Sequence, residues 1–137
     1  MATFNKVNSF VEALSEKVHN LGSDTLTIAL CAAANAPTAS NTVLANLTQI
    51  SYTNLSSRAV TTTSSAQTSG TYKLVLADLV LTASGSVGPF RYAVLYNDTA
   101  ASDELIGWVD YESDVTLANG ETFTLDFDGS AGAITIA

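Results

Sequence analysis

The chain has few of the residues on which most enzymatic and metal sites depend. It contains one cysteine, Cys31, one histidine, His19, and only five Lys and Arg residues among 137. A single cysteine cannot form an internal disulfide, and one Cys with one His falls short of the four ligands of a zinc site. The sequence has no Gly-rich phosphate loop and no Gly-x-Ser-x-Gly nucleophile elbow. We therefore predict a protein that is not an enzyme and that binds no cofactor and no metal.

Positive charge is scarce, and no Lys or Arg follows Arg91. Thirteen Asp and Glu residues give a net charge of −8, which repels nucleic-acid phosphates and anionic membrane surfaces. No stretch reaches the roughly 20 apolar residues of a membrane span, and the first twenty residues lack the apolar centre of a signal peptide. The sequence thus predicts no nucleic-acid partner, no membrane partner and synthesis in the cytosol.

The chain is instead rich in small and apolar residues. Hydrophobic residues make up 47% and charged residues only 13%, and Ala, Thr and Ser fill the difference. The length predicts one domain over residues 1–137. A surface so poor in charge, with little Lys on the predicted strands, favours contact with copies of itself or with other subunits.

Residues 1–22 are predicted to hold one amphipathic helix, spanning 4–21 and ending at Gly22. Apolar residues recur there at intervals of three and four, which is typical of one helical stripe. The stripe consists of Phe4, Val7, Val11, Leu14, Val18 and Leu21. It could pack on the chain's own sheet or on a neighbouring subunit, and the pattern leaves both alternatives open.

Residues 23–137 are predicted to form short strands around a long neutral loop, 34–57, in which 43–47 could make one helical turn. Strands are predicted at 25–32, 58–63, 72–82, 90–96, 105–111, 115–117, 122–128 and 133–136, with turns at 64–70 and 84–89 and a polar loop at 97–103. A slip of the apolar phase at Ala77-Asp78 indicates a bulge, and Asn119-Gly120 is typical of a tight hairpin turn. The predicted fold is mainly β, an antiparallel β-sandwich or jelly-roll-like barrel with one N-terminal helix.

The remaining chemical groups have simple interpretations. His19 is predicted to lie on the helix surface and Cys31 to be half-buried. The acidic sets, which could bind calcium but more simply form a solvated face, are Asp110, Glu112 and Asp114; Asp126 and Asp128; and Asp98, Asp103 and Glu104. The aromatic residues Trp108, Tyr92, Tyr96 and Tyr111 could line a sugar-binding surface, but on alternating strands they more often belong to a core or an interface.

Long segments of the chain resemble small structural proteins of tailed bacteriophages. The segments are ATFNKVNSFVEALSEKVHNLGSDTLTIAL, NAPTASNTVLANLTQIS, SGTYKLVLADLVLTASGSVGPFRYAVLYNDTA and LIGWVDYESDVTLANGETFTLDFD. The resemblance implies a non-enzymatic virion component, foremost a decoration or cement protein on the outside of the capsid. It further implies that the partners are the major capsid protein or other virion proteins, and a second or third copy of this chain in a homodimer or homotrimer.

On this interpretation the helix stripe and the neutral loop are the predicted contact surfaces. The predicted contact residues are Phe4, Val7, Val11, Leu14, Val18, Val43, Leu44 and Leu47. Two other functions stay open: a tail, neck or fibre-associated virion protein, and a carbohydrate-binding or adhesin module.

Overall fold

The computed structural model describes residues 3–137 and is mainly β, with 47% strand in antiparallel sheets and one short N-terminal helix. Met1 and Ala2, which belong to the predicted helical region 1–22, lie outside the described residues. The elements in chain order are β1 (Phe4–Lys6), α1 (Phe10–Ser15), β2 (Leu26–Cys31), β3 (Ala59–Val60), β4 (Thr62–Thr68), β5 (Thr71–Leu76), β6 (Leu79–Thr82), β7 (Val87–Asn97), β8 (Leu105–Leu117), β9 (Thr122–Leu125) and β10 (Ile134–Ile136). Two 3-10 helices, Ala33–Asn35 and Leu44–Asn46, lie between β2 and β3.

The strands form three sheets arranged as a sandwich rather than a closed barrel. The largest sheet has the order β1-β8-β7-β2-β3, the second has the order β10-β5-β4, and β6 pairs with β9. The predicted sandwich is therefore confirmed, and the jelly-roll-like barrel is not what forms.

The core lies between these sheets and draws on both ends of the chain. β2 is buried at all six positions, so the side chains on both of its faces are covered; β7 pairs with it along its whole length and β3 with its first two residues. Leu74 of β5, Leu81 of β6 and Phe90 of β7 are fully buried and belong to the same cluster. Cys31 is fully buried in it, so the prediction of a half-buried cysteine was wrong.

The predicted helix over 4–21 is mostly wrong. Phe4–Lys6 pairs with β8 as an edge strand, and the helix covers only Phe10–Ser15 before Lys17 takes a positive φ of 68°. The helix also turns a different side inward from the one predicted, because Phe10 is 3% exposed whereas Val11 is 54% exposed. The three- and four-residue spacing is therefore divided among a strand, a single helix and a turn.

Several predicted strands have different bounds or partners. The segment 72–82 is two strands in two sheets, and Ala77-Asp78 is the break between them rather than a bulge. Asn119-Gly120 does form a turn, with the Glu121 N–H donating to the Ala118 carbonyl at 3.0 Å, but it joins β8 to a strand of another sheet. No hairpin forms between β8 and β9, because β9 pairs with β6.

Other differences concern predicted turns and breaks. Most of the turn predicted at 64–70 is β4, and only Ser69-Gly70 reverses the chain. β7 begins at Val87, inside the turn predicted at 84–89. The two strands predicted at 105–111 and 115–117 are the single strand β8, in which Glu112 takes a positive φ of 63°.

Candidate interaction surface

The N-terminal part of the predicted surface is only partly exposed. Val7 is fully buried, and its N–H donates to the Ile106 carbonyl at 3.1 Å, so its side chain belongs to the core. Val11 is the exposed member, and Leu14 and Val18 are half-buried. We call Val11, Leu14 and Val18 the N-terminal patch.

Phe4 lies apart from the N-terminal patch, on β1. Its ring covers Gly107 of β8 so closely that a Cβ at Gly107 would lie 2.5 Å from the Phe4 ring edge. Phe4 is half-buried, and it borders a small cleft that also includes Lys6, Phe10 and Ile134. The side chain therefore has a packing role in this chain, and part of its surface is left for a partner.

The loop part of the predicted surface is an ordered turn. It is held by hydrogen bonds to Leu105 of β8 and to Asp103, which lies two residues before β8. The Leu44 N–H donates to the Asp103 carbonyl at 3.0 Å, and the Leu105 N–H donates to the Thr42 carbonyl at 2.9 Å. The Asn46 side-chain oxygen accepts the Thr42 N–H at 3.0 Å and thereby fixes the start of the 3-10 turn. The loop is thus held in place by its own chain.

Val43, Leu44 and Leu47 are all half-buried and line one open cleft of about 530 Å³ with Gln49 and Asp103. We call Val43, Leu44 and Leu47 the loop patch. The lining of the cleft combines these apolar side chains with the uncharged polar residues Gln49 and Ser102, and Asp103 is its one charged group among the described residues.

The structure brings the N-terminal segment and the neutral loop to the same end of β8. The Asn8 N–H donates to the Ala39 carbonyl at 2.8 Å, immediately before α1 begins. Val7 contacts Ile106 and Thr42 contacts Leu105 through the main-chain bonds described above, so adjacent β8 residues anchor both segments. No local pattern in the sequence indicates this proximity.

A second anchor of the loop was not predicted from the sequence. The Arg58 guanidinium lies 3.6 Å from the centre of the Tyr52 ring and donates to the Ile28 carbonyl. The Tyr52 hydroxyl accepts the Leu30 N–H at 2.9 Å and donates to the Gln49 side-chain oxygen at 2.6 Å. Burial raises the pKa of Tyr52 to about 12. The available signal was that Arg58 is the one charged residue in the range 25–72.

A buried polar network joins the end of the N-terminal segment to the end of β7. Asn97 is fully buried, and its side-chain oxygen accepts the N–H groups of Thr99 at 3.0 Å and Ala100 at 3.1 Å. Those two donors fix the orientation of the amide, because only its oxygen can accept them. The Asn97 Nδ2 group therefore donates to Asp24 Oδ2 at 2.6 Å and to His19 Nδ1 at 3.0 Å.

This network determines the state of His19. Because Nδ1 accepts from Asn97, the neutral ring carries its proton on Nε2, which is buried and has no hydrogen-bond partner within residues 3–137. Burial lowers the pKa of His19, against the opposing effect of Glu104 and Asp24. The ring is 4% exposed and lies 5.4 Å from the Phe10 ring, so the predicted surface position of His19 was wrong.

The network has the geometry of a structural support. A catalytic histidine needs one nitrogen free to take a proton from a nucleophile within hydrogen-bond reach. Here the accepting nitrogen is already bonded to an amide, and Nε2 is closed off from solvent. Burial also raises the pKa of the Cys31 thiol to about 11, which keeps it protonated at neutral pH.

Several of the acidic residues accept hydrogen bonds from groups of this chain. Asp110 accepts two hydrogen bonds from the Arg91 guanidinium, at 2.7 and 2.9 Å, and one from the Glu112 N–H at 2.7 Å. These bonds lower the pKa of Asp110, and the partner carboxylate raises the pKa of Arg91. Asp128 accepts the N–H groups of Ser130 and Ala131, which lowers its pKa. Across residues 3–137, no three Asp, Glu, His or Cys side chains come together in a way that could hold a metal ion.

The aromatic residues considered for sugar binding are largely withdrawn from the surface. Tyr92 and Tyr96 are 9% and 4% exposed. Tyr111 is half-buried and meets the Phe123 ring edge-on at 4.8 Å, and burial raises its pKa to about 12. Trp108 is also half-buried and packs against the core. These four side chains do not form an exposed platform.

Comparison with protein-family models, with curated protein sequences and with solved structures gives no match to this chain. No helix within residues 3–137 is long and apolar enough to cross a membrane.

Proposed function

We propose that this protein is a non-enzymatic structural component of a tailed-bacteriophage particle, namely a decoration or cement protein on the outside of the head shell. The proposal rests on the sequence resemblance and on one structural observation that carries it. The N-terminal patch and the loop patch are apolar, incompletely buried surfaces, and β8 anchors both of their segments at one end. An ordered apolar surface of this kind suits a permanent contact with another protein.

The charge of the chain supports the outer side of the shell as its location. The net charge of −8 is repelled by DNA phosphates, so an external position is electrostatically favoured over a position beside the packaged genome. The partner at the two patches is the major capsid protein or another virion protein, and further copies of this chain complete the assembly. The predicted contact residues that remain accessible are Phe4, Val11, Leu14, Val18, Val43, Leu44 and Leu47.

The state of the two reactive side chains supports a role without catalysis. His19 and Cys31 are both buried, and the His19 Nε2 atom has no hydrogen-bond partner within residues 3–137. The buried network and the main-chain bonds to β8 hold the loop and the N-terminal segment in place, as expected for a protein that presents a surface.

The test is co-sedimentation of the purified protein with head shells that lack it. Val11→Asp places a charge in the N-terminal patch, and Val80→Asp is the matched control because the two valines are 54% and 52% exposed. We expect the unchanged protein and Val80→Asp to sediment with shells and Val11→Asp to stay in the supernatant. If the unchanged protein ignores shells, the cement function is wrong; if it binds and both variants bind equally, the assignment of the N-terminal patch is wrong. Antibody labelling of whole particles distinguishes the head from the alternative location on the tail.

A further inference from the structure

One strand edge in this fold lacks the usual protection against pairing. β4 bonds to β5 only, so its other side is unpaired in the part of the chain that the structure describes. It is seven residues long, whereas the other outer strands are shorter: β1, β3 and β10 have three, two and three residues, and β6 and β9, which pair only with each other, have four each. Short length, lysine, proline and β-bulges are common ways in which proteins blunt an edge. β4, with the sequence TTSSAQT, has none of the first three, and its register shift lies between Thr62 and Ser64, so residues 64–68 form a regular uncharged edge.

The direction of the free main-chain groups on β4 follows from its hairpin with β5. Ser69 and Gly70 both take positive φ, at 51° and 84°, as in a type I′ two-residue hairpin turn. Leu74 of β5 is in register with Ser65. Its carbonyl points away from β4 and accepts the Ala133 N–H at 2.8 Å. Hydrogen-bonded and non-bonded pairs alternate along an antiparallel ladder. The N–H and C=O groups of Ser65 and Gln67 therefore point outward, away from β5.

We propose that this edge pairs with the same edge of a second copy of the chain, with the two β4 strands antiparallel across a two-fold axis at Ala66. This register sets Ser65 of each copy opposite Gln67 of the other, and both pairs can exchange their outward main-chain hydrogen bonds. It leaves out the irregular start of the strand and places the small side chain of Ala66 opposite its own copy. An interface between identical patches is the usual form of a homodimer.

The self-complementary register points to a second copy as the occupant, and the charge distribution permits it. Two chains of net charge −8 repel each other, yet residues 59–72 carry no charge at all. Lys73, in register with Ala66, is a cation, and its ammonium group donates to the Ser130 carbonyl at 2.8 Å. Two copies can thus meet at β4 without bringing carboxylates of that strand together. The resulting sheet would be continuous across the two chains, with the order β10-β5-β4-β4-β5-β10.

This inference goes beyond the proposed function and is independent of shell binding, because it is tested on the purified chain. Ala66→Lys and Ala66→Glu each place like charges directly opposite one another at the axis, and such pairs destabilise a ladder. Each variant alone should raise the dimer dissociation constant about two- to fivefold. An equimolar mixture of the two variants should restore the dimer, because opposite charges then face each other at position 66. Thr122→Lys adds a positive charge at an exposed position of β9 and should leave the dimer unchanged.

A second pair of variants distinguishes the contribution of the Gln67 main chain to dimerisation from that of its side chain. Gln67→Pro removes an outward N–H, which the single chain leaves unpaired, and proline is tolerated on an edge strand at such a position. It should weaken dimerisation about a hundredfold, because each copy loses a hydrogen bond and gains a ring at the interface. Gln67→Ala loses only the bond from the Gly70 N–H to the Gln67 side chain, at 3.1 Å, and should still dimerise.

The measurement is the solution mass by sedimentation equilibrium, compared with the 14.2 kDa of one chain. The proposal is supported if each single charge at Ala66 raises the dimer dissociation constant, the mixture of the two variants lowers it again, and Gln67→Pro raises it most. It is overturned if the unchanged protein stays monomeric at its highest soluble concentration, or if the charges at Ala66 leave the dissociation constant of the dimer unchanged. Circular dichroism of each variant reports folding, and the charge swap at Ala66 remains decisive even if Gln67→Pro fails to fold.

Discussion

Replacing Phe10 by alanine tests which side of the N-terminal segment faces the core. Phe10 is 3% exposed and is the one buried residue of α1, whereas its neighbour Val11 is 54% exposed. The Phe10 ring also lies 5.4 Å from the His19 ring and thus covers the buried network that joins His19 to Asn97 and Asp24. Its removal opens a cavity at the point where the N-terminal segment meets the sheet.

The size of the effect follows from the area that the ring buries. A phenylalanine that is almost fully buried removes about 150–200 Å² from water, which at about 25 cal/mol per Å² is worth about 4–5 kcal/mol. Measured Phe→Ala costs in cores are about 3–5 kcal/mol, because the site collapses only in part. We therefore expect Phe10→Ala to lower the free energy of unfolding by about 3–5 kcal/mol. For a domain whose total stability is about 5–15 kcal/mol, this is a large fraction.

The assay is urea unfolding followed by far-ultraviolet circular dichroism, with Val11→Ala as the control. Val11→Ala should change the free energy of unfolding by less than about 0.5 kcal/mol, because more than half of that side chain already contacts water. In Phe10→Ala the pKa of His19 should also rise towards its ordinary value, since the ring loses part of its apolar cover. Equal losses in the two variants, or a larger loss in Val11→Ala, would refute the packing described for α1.

Two further predictions concern the buried titratable groups. Burial lowers the pKa of His19 below its ordinary 6.5, so the neutral ring contributes stability that is complete above pH 6.5 and is lost as the pH falls from there through the folded-state pKa. The urea midpoint should therefore decrease between about pH 7 and pH 5, and His19→Phe should flatten that part of the profile; an unchanged slope would contradict the buried position. Cys31 is fully buried with its pKa raised to about 11, so a thiol reagent at about pH 8 should label it only as fast as the chain unfolds, and rapid labelling of the folded protein would contradict this.

The strands could be predicted from the sequence better than their partners could. Alternation and turn residues are local signals, and they placed strands close to β2, β7, β9 and β10. Pairing is not local. Asn119-Gly120 has the composition of a hairpin turn, but Phe123 of β9 is in register with Leu81 of β6, and the chain changes sheets at the turn. The same limit explains why 72–82 was predicted as one strand. A change of sheet at Ala77-Asp78 produces the same slip in apolar phase as a bulge, so the sequence pattern does not distinguish the two.

The N-terminal error has a different physical cause. A spacing of three and four residues predicts a helix only if one element contains the whole pattern. Here Phe4 is on a strand, Val11 is on the helix, and Leu21 follows a residue with positive φ at Lys17, so the stripe is never assembled. Nothing in the sequence shows that β8 offers an open edge at Gly107 to which Phe4–Lys6 can bond. Tertiary pairing overrides the helical pattern at that point.

The contact surface was also predicted only in part, because some of its features depend on tertiary contacts. The sequence indicated which segments are neutral and apolar, and the structure leaves Val11, Leu14 and Val18 near the surface while it buries Val7. The meeting of the N-terminal segment and the neutral loop at β8 could not be predicted, because the bond from Asn8 to Ala39 joins positions far apart in the chain and has no local signature. The buried position of Asn97 could not be predicted either, since that residue begins a stretch with the composition of a polar loop.

The edge of β4 shows most clearly why an inference about function needs both the sequence and the structure. Absence of charge in residues 59–72 is visible in the sequence, where it is equally compatible with an interior strand, and most of β4 was predicted as a turn. Only the sheet order shows that this uncharged strand is an edge. A long neutral edge on a solitary domain promotes uncontrolled aggregation. The pairing proposed above would satisfy the outward groups of Ser65 and Gln67 and cover the regular part of the β4 edge, and it would thereby explain why this edge carries no protective charge.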